Sequence, residues 1–159
     1  DSALQYYSED QIKKNTRDHF NDKTYTATQN YPPNFFKNYD YFDYVFKTND
    51  ENYTIVSMAG VINFSDKKMQ DCYNQMDQID NYIKNLLTSL ERDSGYNSKS
   101  KSDPKGVATF SQITFYGDDG VINITCYDNT SRKDTYMSYL SVSVRTNEFA
   151  DFLRFRAYN

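Results

Sequence analysis

Residues 69–90 read MQDCYNQMDQIDNYIKNLLTSL. Apolar side chains recur there at Met69, Cys72, Met76, Ile79, Ile83, Leu86 and Leu90, in steps of three and four. A helix turns every 3.6 residues, so this spacing gathers them into one stripe, while Asp71, Asn74, Gln78, Asn81 and Asn85 fall on the other side. Ser65 is placed to cap the first free N–H groups, and Asp66 suits the positive end of the helix dipole. Gly95 lies where a stop is expected. The pattern predicts a helix of roughly seven turns.

Upstream of it the period changes. Phe42, Tyr44 and Phe46 alternate with Tyr41, Asp43 and Val45, which is strand spacing over residues 39–47. Turn-forming residues at 49–52 lead into a β-branched second strand, 53–64, so the pair reads as a hairpin. Residues 1–7 form a lead-in. Ser8 and Gln11 then make a capping box that opens a helix over about residues 9–20, with Ile12, Thr16 and Phe20 as its stripe. Tyr31, Pro32 and Pro33 end regular structure before the hairpin.

Downstream, strands are predicted over residues 107–116, 121–127 and 135–144. Gly117, Asp118, Asp119 and Gly120 form a tight turn between the first two, and a polar turn at 129–134 joins the third. Residues 93–106, rich in Ser, Lys, Gly and Pro, read as a mobile internal loop. A last helix from Asn147 turns Phe149, Phe152 and Leu153 toward the sheet. The expected fold class is α+β in the order α-ββ-α-βββ-α: one domain, 1–159, with an antiparallel sheet of about five strands and the long helix across one face. That order resembles profilin-like and longin/roadblock folds in topology alone, with cystatin-like and nuclear-transport-factor-like sheets as alternatives. None of these folds dictates an activity.

Composition narrows the function classes. The 159 residues include 16 Tyr and 11 Phe and no Trp, so aromatic rings must supply the bulk of the core. A net charge of -4 and a pI near 4.9 argue against wrapping nucleic acid. The densest basic run, Lys99, Lys101 and Lys105, reads as a solvated linker. No apolar run approaches the ~20 residues that span a bilayer. Residues 55–64 come nearest, broken by Ser57, Gly60 and Asn63.

Reactive constellations are sparse. His19 is the only histidine and stands in a weak helix, where a surface role is the ordinary one. Asp118 and Asp119 share a turn that favours Asp for its backbone hydrogen bonding, and Asp40 and Asp43 lie on opposite strand faces. Asp77 and Asp80 share a helix face as solvated charge. We therefore expect no catalytic residue, no metal site and no cofactor.

Cys72 and Cys126 carry more. One lies on the helix stripe, and the other shares a strand face with Ile122 and Ile124. If helix and strand pack together, both sulfurs enter one interface, and a disulfide is expected there, worth roughly 2–4 kcal/mol. Two buried free thiols are the alternative. A disulfide implies an oxidising compartment. Four N-x-Ser/Thr sequons, at Asn52, Asn63, Asn123 and Asn129, accompany it, with Asn52 and Asn129 in predicted turns and so the better acceptors. The chain begins at Asp1 rather than Met, as expected after removal of a signal peptide or an expression tag.

These features favour an extracellular, secreted, non-enzymatic binding protein, an effector or carrier for a partner protein or a small apolar ligand. The alternative is an intracellular scaffold with a profilin- or longin-like sheet and reduced thiols. The aromatic segment 35–53 is the expected binding surface, with Tyr39, Tyr41 and Val45 facing away from the core and Tyr53 beside them. An N-terminal helix laid over those tyrosines would make them core instead.

Overall fold

A computed structural model describes residues 1–31, 38–64, 68–99, 108–129 and 137–158. The strands are β1 (Thr16–Arg17), β2 (Tyr25–Asn30), β3 (Tyr41–Lys47), β4 (Ser57–Phe64), β5 (Glu91–Lys99), β6 (Thr109–Tyr116), β7 (Gly120–Asp128) and β8 (Ser138–Thr146). The helices are α1 (Glu9–Lys14), α2 (Met69–Leu86) and α3 (Asn147–Phe155). Hydrogen-bonded neighbours follow the order β1-β2-β3-β4-β8-β7-β6-β5. The expectation of about five strands with a long helix across one face is therefore wrong: eight strands are described, and the helices are short.

The extra strands escaped the sequence pattern for a physical reason. β5 ends the strand order and reads ERDSGYNSK, exposed at Glu91, at Asp93 to Tyr96 and at Lys99. An edge strand with little buried surface needs no apolar alternation, and its charges blunt further pairing. Its first five residues pair without a break, Glu91 with Tyr116 through Gly95 with Gln112, before an irregularity between Gly95 and Ser98. Gly95 thus lies in a strand rather than at a helix end, and the loop expected from residue 93 is strand as far as Lys99. In β2 the buried positions are Tyr25, Thr28 and Asn30, two of them polar, so its pattern hides as well. Ser65, Asp66, Phe35, Phe36, Pro32, Pro33, Lys101, Lys105 and the turn at 130–134 lie outside the described residues.

The chain clusters into two compact units, residues 1–61 with 143–159, and residues 62–142. In the first, α1 opens with the capping box: Ser8 N–H donates to Gln11 Oε1 at 2.9 Å and Gln11 N–H to Ser8 Oγ at 3.3 Å. The helix stops at Lys14, well short of Phe20, because Thr16 and Arg17 leave it to pair with Thr28 and Ala27 of β2. β3 and β4 form the hairpin read from the sequence, with Tyr41 opposite Val61 and Val45 opposite Ser57. Phe46 buries one face of β3 against Ala3 and Ile12, and Tyr44 meets the rings of Tyr6 and Tyr7. On the other face Val45 packs with Phe20, Tyr25, Phe149 and Phe152 beneath α3.

In the second unit, Cys72, Met76 and Ile83 of α2 meet Ile113, Phe115, Ile124 and Leu140. Met69, Ile79 and Leu90 join at the margin, whereas Leu86 is exposed. Asp80 takes a buried place on the same helix side, which the apolar stripe did not announce. Its carboxylate accepts Arg92 Nε–H at 2.7 Å and a second Arg92 N–H at 3.1 Å, and Lys84 stands 3.1 Å away. Cys72 and Cys126 are bonded, their Cα atoms 6.1 Å apart and both fully buried. No described helix is long and apolar enough to cross a membrane.

Candidate functional site

The first unit carries a groove of about 630 Å³ beside the β3–β4 turn. Its geometry starts at Asp50, whose two carboxylate oxygens accept the N–H groups of Asn52 at 3.0 Å and Thr54 at 2.8 Å. Those donors, Thr54 first, hold the Asp50 carboxyl below its ordinary range, so it stays ionised at neutral pH. Asn49 and Tyr53 adopt left-handed backbone, at φ 69° and 49°. Asn tolerates that region, but a bulky tyrosine there is an outlier that its surroundings must hold. The Tyr53 carbonyl accepts Ala3 N–H at 3.0 Å, its ring meets Phe46 edge-on at 5.0 Å, and its hydroxyl reaches Glu9 Oε1 at 3.3 Å.

From α1, Glu9 and Lys13 close the groove as an i,i+4 pair at 2.6 Å. That hydrogen bond from Lys13 lowers the Glu9 pKa and raises that of Lys13. Glu51 is the third carboxylate on the wall. Three acids against one lysine, beside the rings of Phe46 and Tyr53, make an acidic, partly aromatic surface suited to a cationic side chain with an apolar stem.

The residues expected to form one binding surface separate. Tyr53 lines the groove. Val45 is 6% exposed and belongs to the core beneath α3. Tyr39 lies on the Phe42 side of the hairpin, its ring 5.0 Å from Phe42 and packed over Gly60. Tyr41 is half-buried on the opposite face, two residues from Asp43. Burial raises the Asp43 pKa to about 6, against the opposing influence of Arg17 and Gln29, and raises Tyr41 to about 12. Residues of the N-terminal segment and of α1 pack on the Tyr44 and Phe46 face.

The sequons separate too. Asn52 is exposed, Asn63 is half-buried in β4, and Asn123 and Asn129 are buried. His19 lies edge-on to Phe20 with Nε2 3.4 Å from the Tyr158 hydroxyl. Among the described residues no three His, Cys, Asp or Glu side chains converge as metal ligands.

Neither models of known protein families, nor curated proteins, nor solved structures give a match to this chain.

Sequence reasoning missed Glu9, Lys13, Asp50 and Glu51 as groove residues. The signals available were local: the capping box that positions Glu9 on the first turn of α1, and an Asp at the start of a turn that needs its backbone amides satisfied.

Proposed function

We propose that this chain is an exported, non-enzymatic binding protein that recognises a basic side chain of a partner protein in the groove between α1 and the β3–β4 turn. The observation that carries the reading is the groove itself, with three carboxylates and one lysine around Phe46 and Tyr53. An open wall with that charge suits a protein partner better than a small apolar ligand, whose site would be closed and largely hydrophobic. The buried Cys72–Cys126 disulfide favours export over the intracellular scaffold reading.

A peptide library displayed on phage and selected on the oxidised protein tests the recognition. Selected sequences should carry Lys or Arg, and Glu51→Lys should weaken them at least tenfold. Sequences without basic residues, or binding indifferent to both Glu51→Lys and Tyr53→Ser, would overturn it. Trapping the thiols by alkylation in source cells tests export separately: free Cys72 and Cys126 would return the scaffold reading.

A further inference from the structure

We propose that Asn52 is the N-linked glycan attachment site of the folded chain. The inference rests on the export reading for the glycan's natural occurrence, but the choice of site rests on geometry alone. All four sequons satisfy the same three-residue rule, so the sequence ranks them only by predicted turns. Folding distinguishes them by what each Asn side chain must do.

Asn123 lies in β7 opposite Thr114 of β6, and it is 5% exposed. Its Oδ1 accepts the Thr114 hydroxyl at 2.9 Å, and Thr114 Oγ1 in turn accepts Gln112 Nε2–H at 2.9 Å. Thr125, the hydroxyl residue of the same sequon, is buried and donates to Gln112 Oε1 at 3.3 Å. A sugar on Asn123 would have to break a satisfied, buried polar network. Asn129 is 8% exposed, its amide donates to the Met137 carbonyl at 2.9 Å, and its backbone N–H donates to Ser138 Oγ at 3.0 Å. The nitrogen that would carry the sugar is thus already committed. Asn63 is half-covered within β4, which has β3 on one side and β8 on the other.

Asn52 differs on each count. It stands at the tip of the β3–β4 turn, exposed, with an exposed Thr54 completing its sequon. Its backbone is held, by Asp50 at its N–H and by Ser2 Oγ at its carbonyl, while among the described residues no hydrogen bond engages its side-chain amide. Such turn tips are where chains accept modification without loss of fold. A glycan there would border Glu51 and Tyr53 on the groove wall.

The reaction joins the Asn52 Nδ2 to C1 of the sugar of a lipid-pyrophosphate-linked oligosaccharide. The C1–O bond to the pyrophosphate breaks, that oxygen keeps the electron pair, and the amide nitrogen releases one proton. The test incubates a purified single-subunit oligosaccharyltransferase and this donor with the native, disulfide-bonded protein and, in parallel, with the reduced and unfolded chain, followed by glycopeptide mapping. In the native protein, occupancy at Asn52 should exceed that at Asn63, Asn123 or Asn129 at least tenfold, and unfolding should remove the preference. Comparable occupancy at a second sequon of the native protein, or an unmodified Asn52, would overturn the proposal. Secretion of the chain from a eukaryotic host behind a heterologous leader gives a second readout. Folded, oxidised product should carry one glycan and lose it in N52Q, whereas folded product glycosylated at Asn123 or Asn129 would count against the site.

Discussion

Two carboxylates in this protein, the buried Asp80 and the half-buried Asp43, respond to pH with opposite signs, and the difference lies in the balance between burial and their partners. Asp80 loses hydration on burial, which alone would raise its pKa, but Arg92 and Lys84 outweigh that and hold it below the ordinary range. A depressed carboxyl stabilises the fold above the unfolded value, about 3.9, and that contribution is lost as pH falls below it. Asp80→Ala should cost roughly 2–3 kcal/mol at pH 7, since Arg92 keeps some access to water, and the penalty should shrink toward pH 3. Urea unfolding at the two pH values measures it. At Asp43 burial outweighs the lowering influence of Arg17 and of Gln29, and raises it to about 6. A raised carboxyl adds stability that is full below about pH 3.9 and lost as pH rises through 6, so near neutrality its charge opposes folding. Relative to D43N, the wild-type protein should gain up to about 3 kcal/mol between pH 7 and pH 4. A flat difference across that window would show that Asp43 is hydrated in the native state.

Packing between elements explains which parts of the fold were legible. The stripe of α2 and the alternation of β3 were readable because both bury large apolar side chains at regular spacing. β5 and β2 were not, since an exposed edge and a strand that buries Thr28 and Asn30 leave no such record. Asn30 joins instead a polar chain to α1: Asn15 donates to Asn30 at 2.8 Å, Asn30 to Thr28 at 3.1 Å, and Thr28 to the Ile12 carbonyl at 3.3 Å. The groove was half legible. Tyr53, which lines it, stands out in the sequence as part of the aromatic segment, but the acids around it depend on where α1 sits beside the turn, which no local pattern encodes. Gly60 is a further case of a position set by packing. A Cβ there would lie 2.6 Å from Tyr39 Cε1, so Gly60→Ala must push the ring off the hairpin. Overpacking of this kind should destabilise the first unit by about 1–3 kcal/mol. Thermal unfolding of G60A and of G60A with Tyr39→Ala checks the cause, because removing the ring should recover most of the loss.

At the scale of the whole molecule, the disulfide and the two compact units make a joint prediction. Cys72 and Cys126 are 54 residues apart and both lie within residues 62–142. Cross-linking chiefly limits the unfolded chain, so the bond should stabilise that unit by roughly 2–4 kcal/mol. The first unit has cores of its own, around Phe149 with Phe152 and around Ile12 with Phe46, and they contain no cysteine. Reduction should therefore raise the opening rate of amides in α2, β6 and β7, while those of β2 and β3 keep their protection. Hydrogen exchange on oxidised and reduced protein reads this residue by residue, because local opening and global unfolding leave different patterns. An equal loss of protection in β3 and β7 would mean that the two units open as one cooperative body. In that case the substitutions of Asp80 and of Gly60 should also lower the stability of every strand alike, rather than each acting within its own unit.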